Sequence, residues 1–180
     1  MSKDIHALLA EMSRGSRAAF GEIYDSLVRR VFNYAYIITK NKQIAEDITH
    51  DVFLQTFKYA SRIEKVSNPV AYIMTITRNH SYNVLKRESR IASLEDSILS
   101  SIPTSSPYDQ FYFEDAFNIL PANQREVVYL HLICGHRHKD IAVIQNVPLV
   151  TVKWRYRQAI SKLRIYFSQN ETEVKCDERI

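Results

Sequence analysis

The sequence predicts an all-α protein: two small helical domains joined by a flexible linker, the C-terminal one a helix-turn-helix. Three observations predict it. Apolar residues recur every three or four positions along most of the chain, the period of an amphipathic helix. Only three glycines occur among 180 residues, Gly15, Gly21 and Gly135, too few for a fold that turns through tight hairpins. Between Ser89 and Pro107 the period is lost, and Ser93, Ser97, Ser100, Ser101, Thr104, Ser105 and Ser106 sit among two prolines.

The elements follow in order. Phe20, Ile23, Tyr24, Leu27, Val31, Phe32, Ala35 and Ile38 form one helical stripe, which residues 41–43 (Asn-Lys-Gln) interrupt. A second helix is expected from about Gln43 to Ala60, with Ile44, Ile48, Val52 and Phe53 facing inward. Ser61 to Asn68 is polar and reads as a loop. Pro69 suits the first turn of the next helix, where its missing N–H is no loss, and Val70, Ile73, Met74, Ile76, Thr77, Val84 and Leu85 continue that helix. The Ser/Pro segment then reads as a linker, and a second helical block runs from near Phe111 to about Phe167. The expected division is 1–90, a linker 91–112, 113–168, and a tail 169–180 with no assignment.

Charge is unevenly spread. Residues 1–90 carry a balance of +5, residues 91–124 a balance of −5 with no Lys or Arg, residues 125–167 a balance of +6, and the tail −2. Two basic blocks flanking an acidic one suit a polyanionic partner, because bound phosphates release condensed counterions. The alternative is two solvated basic faces.

The second basic block has more specific content. Residues 139–159 have helix-turn-helix logic. Ala142 is small where two helices cross. Asn146 stands at the turn and tolerates left-handed backbone. Ile141, Val147 and Val152 are spaced to build a small core, and Pro148 opens the second helix. That helix presents Thr151, Lys153, Trp154, Arg155, Arg157 and Gln158. Arg and Lys reach guanine edges or phosphates, and Gln pairs with adenine. An ordinary helical hairpin with a basic face is the competing reading.

Two stretches together resemble the extracytoplasmic-function sigma factors of bacterial RNA polymerase, within the sigma-70 family. Ala45-Glu46-Asp47-Ile48 with Asp51-Val52-Phe53-Leu54 resembles the family's polymerase-binding helix. Asn68-Pro69-Val70-Ala71-Tyr72-Ile73, Ile76-Thr77-Arg78-Asn79 and Leu85-Lys86-Arg87 resemble its promoter −10 helix. Leu120-Pro121, Arg125-Glu126-Val127-Val128, Thr151-Val152-Lys153, Arg155, Ala159 and Leu163-Arg164 are similar to its −35-binding module. The chain departs from the family at His50, where Gln often precedes the acid; at Tyr72, usually Trp; at Asn83, usually Asp; at Val150, commonly Gly; at Trp154, usually small and polar; and at Gln158, often Arg.

The resemblance implies a non-catalytic subunit that binds core polymerase and directs promoter-specific initiation. Asp47, Asp51 and Gln55 share a helical face by i, i+4 spacing and are expected to meet the polymerase's basic clamp coiled coil; Ile48 and Phe53 are expected in the core. Arg62, Lys65, Ser67 and Asn68 are expected to hold a splayed −10 base. Arg78, Asn79, Asn83, Lys86, Arg87 and Arg90 lie toward the DNA. Tyr72 is expected either to stack at the fork or to pack in the core. The six residues of the second helix are expected at the −35 duplex. Partners implied are the clamp and flap of core polymerase, promoter DNA and an anti-sigma factor. The acidic strap 91–116 is expected either to thread near the RNA exit path or to act as a passive tether.

Other functions find little support. There is no G-x-G-x-x-G, P-loop or nucleophile elbow, so no cofactor and no enzyme activity are expected. His131, Cys134, His136 and His138 cluster, but their spacing differs from the usual zinc fingers, and no metal is expected. The two cysteines, Cys134 and Cys176, form no short-spaced pair, and Met1 to Ala10 is too short and mixed for an export signal. No apolar run is long enough for membrane insertion. A cytoplasmic home is therefore expected. The rival within regulation is a stand-alone helix-turn-helix regulator, which leaves the first block without a purpose.

Overall fold

The computed structural model describes residues 4–92 and 114–177, and among them every regular element is a helix. The chain forms two compact units. The first is built from α1 (Ile5–Ser13), α2 (Arg17–Thr39), α3 (Lys42–Lys58), α4 (Ala60–Ile63) and α5 (Pro69–Ala92). The second is built from α6 (Glu114–Asn118), α7 (Ala122–Val128), a π-helical turn (Tyr129–Ile133), α8 (His138–Gln145) and α9 (Leu149–Asp177).

In the first unit, α2 is the central helix and packs on α1, α3 and α5. Its expected stripe is the buried one: Ile23, Leu27, Val31, Phe32 and Ala35 are all closed to solvent. Ser16 caps its start by accepting from the Ala19 N–H. The turn into α3 is two residues long. Lys40 takes left-handed backbone at φ 55°, and Asn41 Oδ1 accepts from the Ile44 N–H at 3.1 Å. Ile48 and Phe53 are buried as expected.

Five hydroxyl groups on the buried faces explain how polar residues share this core. Thr39, Thr49, Thr56, Thr77 and Ser81 each donate to the carbonyl four residues earlier in the same helix. Each hydroxyl is thereby satisfied without a partner from another helix.

Four local differences separate the structure from the sequence-based expectation. First, α1 has no counterpart in that expectation. It is a short helix capped by Asp4, and it buries Leu8, Leu9 and Met12. Gly15, at φ 93°, ends it by donating to the Met12 carbonyl. Second, the expected loop 61–68 begins as α4, because Ala60 and Ile63 are buried against α1. The His6 ring nitrogen Nδ1 lies 3.0 Å from the Glu64 carbonyl and holds this turn to α1. Third, α5 continues through Ala92, two residues past the expected boundary. Fourth, α9 continues to Asp177, so most of the tail 169–180 prolongs that helix. The linker 91–112, apart from its first two residues, lies outside the described residues, as do Glu95, Asp96 and Asp109 of the acidic strap.

In the second unit, α7 packs on α9, and Val127, Leu130, Ile141, Val152 and Ala159 are buried. The Cys134 N–H donates to the Tyr129 carbonyl, closing the π turn, and Gly135 at φ 75° ends the segment. Arg125 ties α6 to α7. Its Nε donates to the Phe117 carbonyl and its terminal nitrogen to the Leu120 carbonyl, each at 2.9 Å. Asn146 is left-handed at φ 53°, as the turn requires, and α9 starts directly after Pro148. Ile141 and Val152 are fully buried, while Val147 is half-buried.

Candidate polymerase and nucleic-acid interfaces

Asp47, Asp51 and Gln55 are exposed on successive turns of α3, forming the expected row. The neighbouring wall is α5, whose Asn79, Asn83, Lys86, Arg87 and Arg90 are also exposed. The family resemblance assigns the two sets to different partners, yet the fold brings them to one pair of adjoining grooves. Gln55 faces Asn79, Asn83 and Arg87 across a groove of about 520 Å³. Asp47 and Asp51 share a second groove of about 480 Å³ with Arg87 and Glu88.

His80 lies between the two grooves and is a site residue that the sequence pattern does not reveal. Its Nε2 stands 3.6 Å from Asp51 Oδ2, so α3 and α5 approach each other across the row itself. No local signal marks this pair, because its members lie on different helices, far apart in the chain. Arg78 is half-buried, with its guanidinium 4.6 Å from the centre of the Tyr82 ring.

On the other side of the acidic row an apolar cleft of about 380 Å³ opens between α2 and α3. Tyr24 and Phe53 pack at 4.7 Å between ring centroids, and Phe20 meets Phe57 edge-on at 5.5 Å. Leu54 and Phe57 remain substantially exposed at the rim. The helical period places Phe53 in the core but does not reveal the cleft, since its walls come from two helices.

In the segment before α5, Arg62, Lys65 and Ser67 are exposed. Asn68 is the cap of α5. Its Oδ1 accepts from the Ala71 N–H at 3.1 Å, and its carbonyl accepts from the Tyr72 N–H. Its amide NH₂ takes no part in the cap. Tyr72 is half-buried on the first turn of α5, between its two expected placements.

Lys153, Trp154, Arg157 and Gln158 are exposed on α9, whereas Thr151 and Arg155 are half-buried. The inner side of the same helix holds Val152 and Ala159. The His131 and His138 rings lie 4.4 Å apart, and each is 4.9 Å from the Tyr156 ring. His131 Nδ1 is 2.8 Å from the His136 carbonyl. Burial lowers the His138 pKa, with smaller contributions from His131 and Lys153. Among the described residues no three Cys, His or acidic side chains converge as metal ligands.

The first unit thus bears an acidic row beside a basic helix, and a helix-turn-helix follows it in the chain. Two family models match the chain: Sigma-70 region 2 over residues 23–91, and Sigma-70 region 4 over residues 110–163. The chain belongs to the sigma-70 family of RNA polymerase sigma factors. It is similar to the extracytoplasmic-function sigma factor SigK of Mycobacterium ulcerans (strain Agy99), with 24% identity over 91% of this chain and 93% of the relative. It is also similar to the RNA polymerase sigma factor CarQ of Myxococcus xanthus, with 25% identity over 89% and 95%.

Among solved structures, the sigma factor RpoE bound to the anti-sigma factor NepR from Bartonella quintana shares the fold. Its TM-score is 0.71 and its identity 24%, covering 83% of this chain and 96% of that one. CnrH in complex with the cytosolic domain of CnrY gives a TM-score of 0.62 at 18% identity, over 92% and 99%. The chain is a promoter-recognising RNA polymerase sigma factor, and the region 2 match assigns the first unit the purpose that a stand-alone regulator would leave unexplained. No helix among the described residues is long and apolar enough to cross a membrane.

Proposed function

We infer that the two units divide promoter recognition between them. The first unit, residues 1–90, binds polymerase and the −10 element. The second, 113–168, binds the −35 duplex, and 91–112 tethers them. Asp47, Asp51 and Gln55 pair with the basic clamp coiled coil, and the neighbouring cleft at Phe53 and Leu54 accepts an apolar side chain from the same partner. Arg62, Lys65, Ser67 and the Asn68 amide hold an extruded base, with Tyr72 beside them. Arg78, Asn79, Asn83, Lys86, Arg87 and Arg90 track the strands from α5. Thr151, Lys153, Trp154, Arg155, Arg157 and Gln158 meet the −35 duplex.

One observation carries this reading: the row Asp47–Asp51–Gln55 stands exposed on α3 inside the segment that matches region 2. An acidic row steers toward a basic partner and fixes register. An anti-sigma factor is a further partner in this reading, and the relative RpoE is itself seen in complex with the anti-sigma factor NepR. The protein itself performs no chemistry and works in the cytoplasm, where its polymerase is. Reconstitution with core polymerase, followed by transcript-start mapping, tests the reading. Defined start sites are expected. The D47K/D51K pair should weaken core binding by about ten-fold or more. Unchanged binding in that variant refutes the assignment of the row.

A further inference from the structure

The outer face of α9 carries an apolar patch where solvent-exposed apolar side chains are costly. Val150 is 71% exposed and Trp154 is 56% exposed. They are one turn apart and share a face, on which Gln158 follows a turn later. Val152 and Ala159, on the inner side, are fully buried, so the register of the helix is set by its core. Packing the unit does not cover Val150 or Trp154.

The surroundings say what does. From Ile141 to Asn170 the chain has five cations, Lys153, Arg155, Arg157, Lys162 and Arg164, and no acid. Lys153 and Arg157 flank the patch and are exposed. Between Asp140 and Glu171 every charged side chain is a cation, and an apolar patch on such a stretch suits a polyanion that offers an apolar group to a helix. The DNA major groove admits a helix, and its apolar group is the thymine C5-methyl.

We propose that Val150 and Trp154 form an apolar reader for thymine methyl groups in the −35 duplex, making Trp154 a specificity-determining residue. The proposal rests on the assignment of α9 to that duplex. Lys153 and Arg157 then position the helix on the phosphates, and Gln158 is left to read a base edge one turn further along. The preference is for thymine over both cytosine and deoxyuridine, since neither presents the methyl.

The test uses the full chain assembled with core polymerase. Promoter duplexes randomised across the −35 element are selected on this holoenzyme, and the enriched thymines are then replaced one at a time by deoxyuridine. Enrichment of thymine at one or two adjacent positions is expected. Each lost methyl should lower affinity about three- to five-fold, from the burial of one carbon. Trp154→Ala should bind both duplexes equally, and Trp154→Phe should restore part of the difference. Lys153→Ala should weaken both while keeping their ratio. A holoenzyme that selects a sequence but binds thymine and deoxyuridine duplexes alike overturns this proposal alone. One that selects no −35 sequence overturns the assignment of α9, and this proposal with it.

Discussion

Arg125 should be the residue on which the second unit most depends outside its apolar core. Its guanidinium makes two hydrogen bonds, to the carbonyls of Phe117 and Leu120, and the side chains of both those residues are buried. Burial lowers its pKa from the usual arginine value but leaves it charged. Arg125→Ala removes both bonds; the Phe117 carbonyl keeps the Leu120 N–H at 3.2 Å, and the Leu120 carbonyl loses its Arg125 donor. A hydrogen bond from a charged group contributes about 1.5–3 kcal/mol. Arg125 is half-buried, so the lower figure applies to each bond, giving a loss of about 3 kcal/mol in all. A unit of this size is stable by only about 3–10 kcal/mol, so the loss is a large fraction.

The assay is denaturant unfolding followed by tryptophan emission. Trp154 is the chain's one tryptophan and lies in α9, so the signal belongs to the second unit. Arg125→Lys keeps the charge but cannot fork between two carbonyls, and should lose about half as much. A change below about 0.5 kcal/mol in Arg125→Ala, or a lysine variant equal to the parent, would show that the bidentate link does not hold α6 in place.

Two further outcomes are expected. Asn68→Ala should destabilise the first unit by about 1 kcal/mol through loss of the α5 cap, while Asn68→Ser retains most of that stability; circular dichroism on heating separates the two, and equal melting would remove the capping role. The second concerns pH. His138 is held below its ordinary value of 6.5, so between the two values the unfolded chain binds more protons than the folded one. Its contribution is therefore complete above about pH 6.5 and declines as pH falls through the window beneath it. His138→Phe should flatten the dependence of the Trp154-monitored midpoint between about pH 7.5 and 5.5, and an unchanged slope would assign it elsewhere.

Most of the helices are legible in the sequence because their signal is local. The α2 stripe, the Pro69 start and the left-handed Asn146 each depend on neighbours within a turn or two, where period and backbone preference are written directly into residue type. The row of Asp47, Asp51 and Gln55 is legible for the same reason. The helix α1 is not, because it is short, buries only Leu8, Leu9 and Met12, and packs on α2 and α4. By polarity alone the segment 61–68 is a loop, whereas Ala60 and Ile63 start it as a helix by finding a buried site on α1.

What sequence spacing cannot reveal is adjacency between elements. His80 beside Asp51, the grooves that join Gln55 to Asn83 and Arg87, and the apolar cleft between α2 and α3 all require two helices to lie at a particular register. That register follows from close packing of side chains brought together from distant positions. Trp154 shows the division at a single residue. Its place on a basic helix is evident from the amino-acid order, but its outward face is set by the burial of Val152 and Ala159 against the rest of the unit.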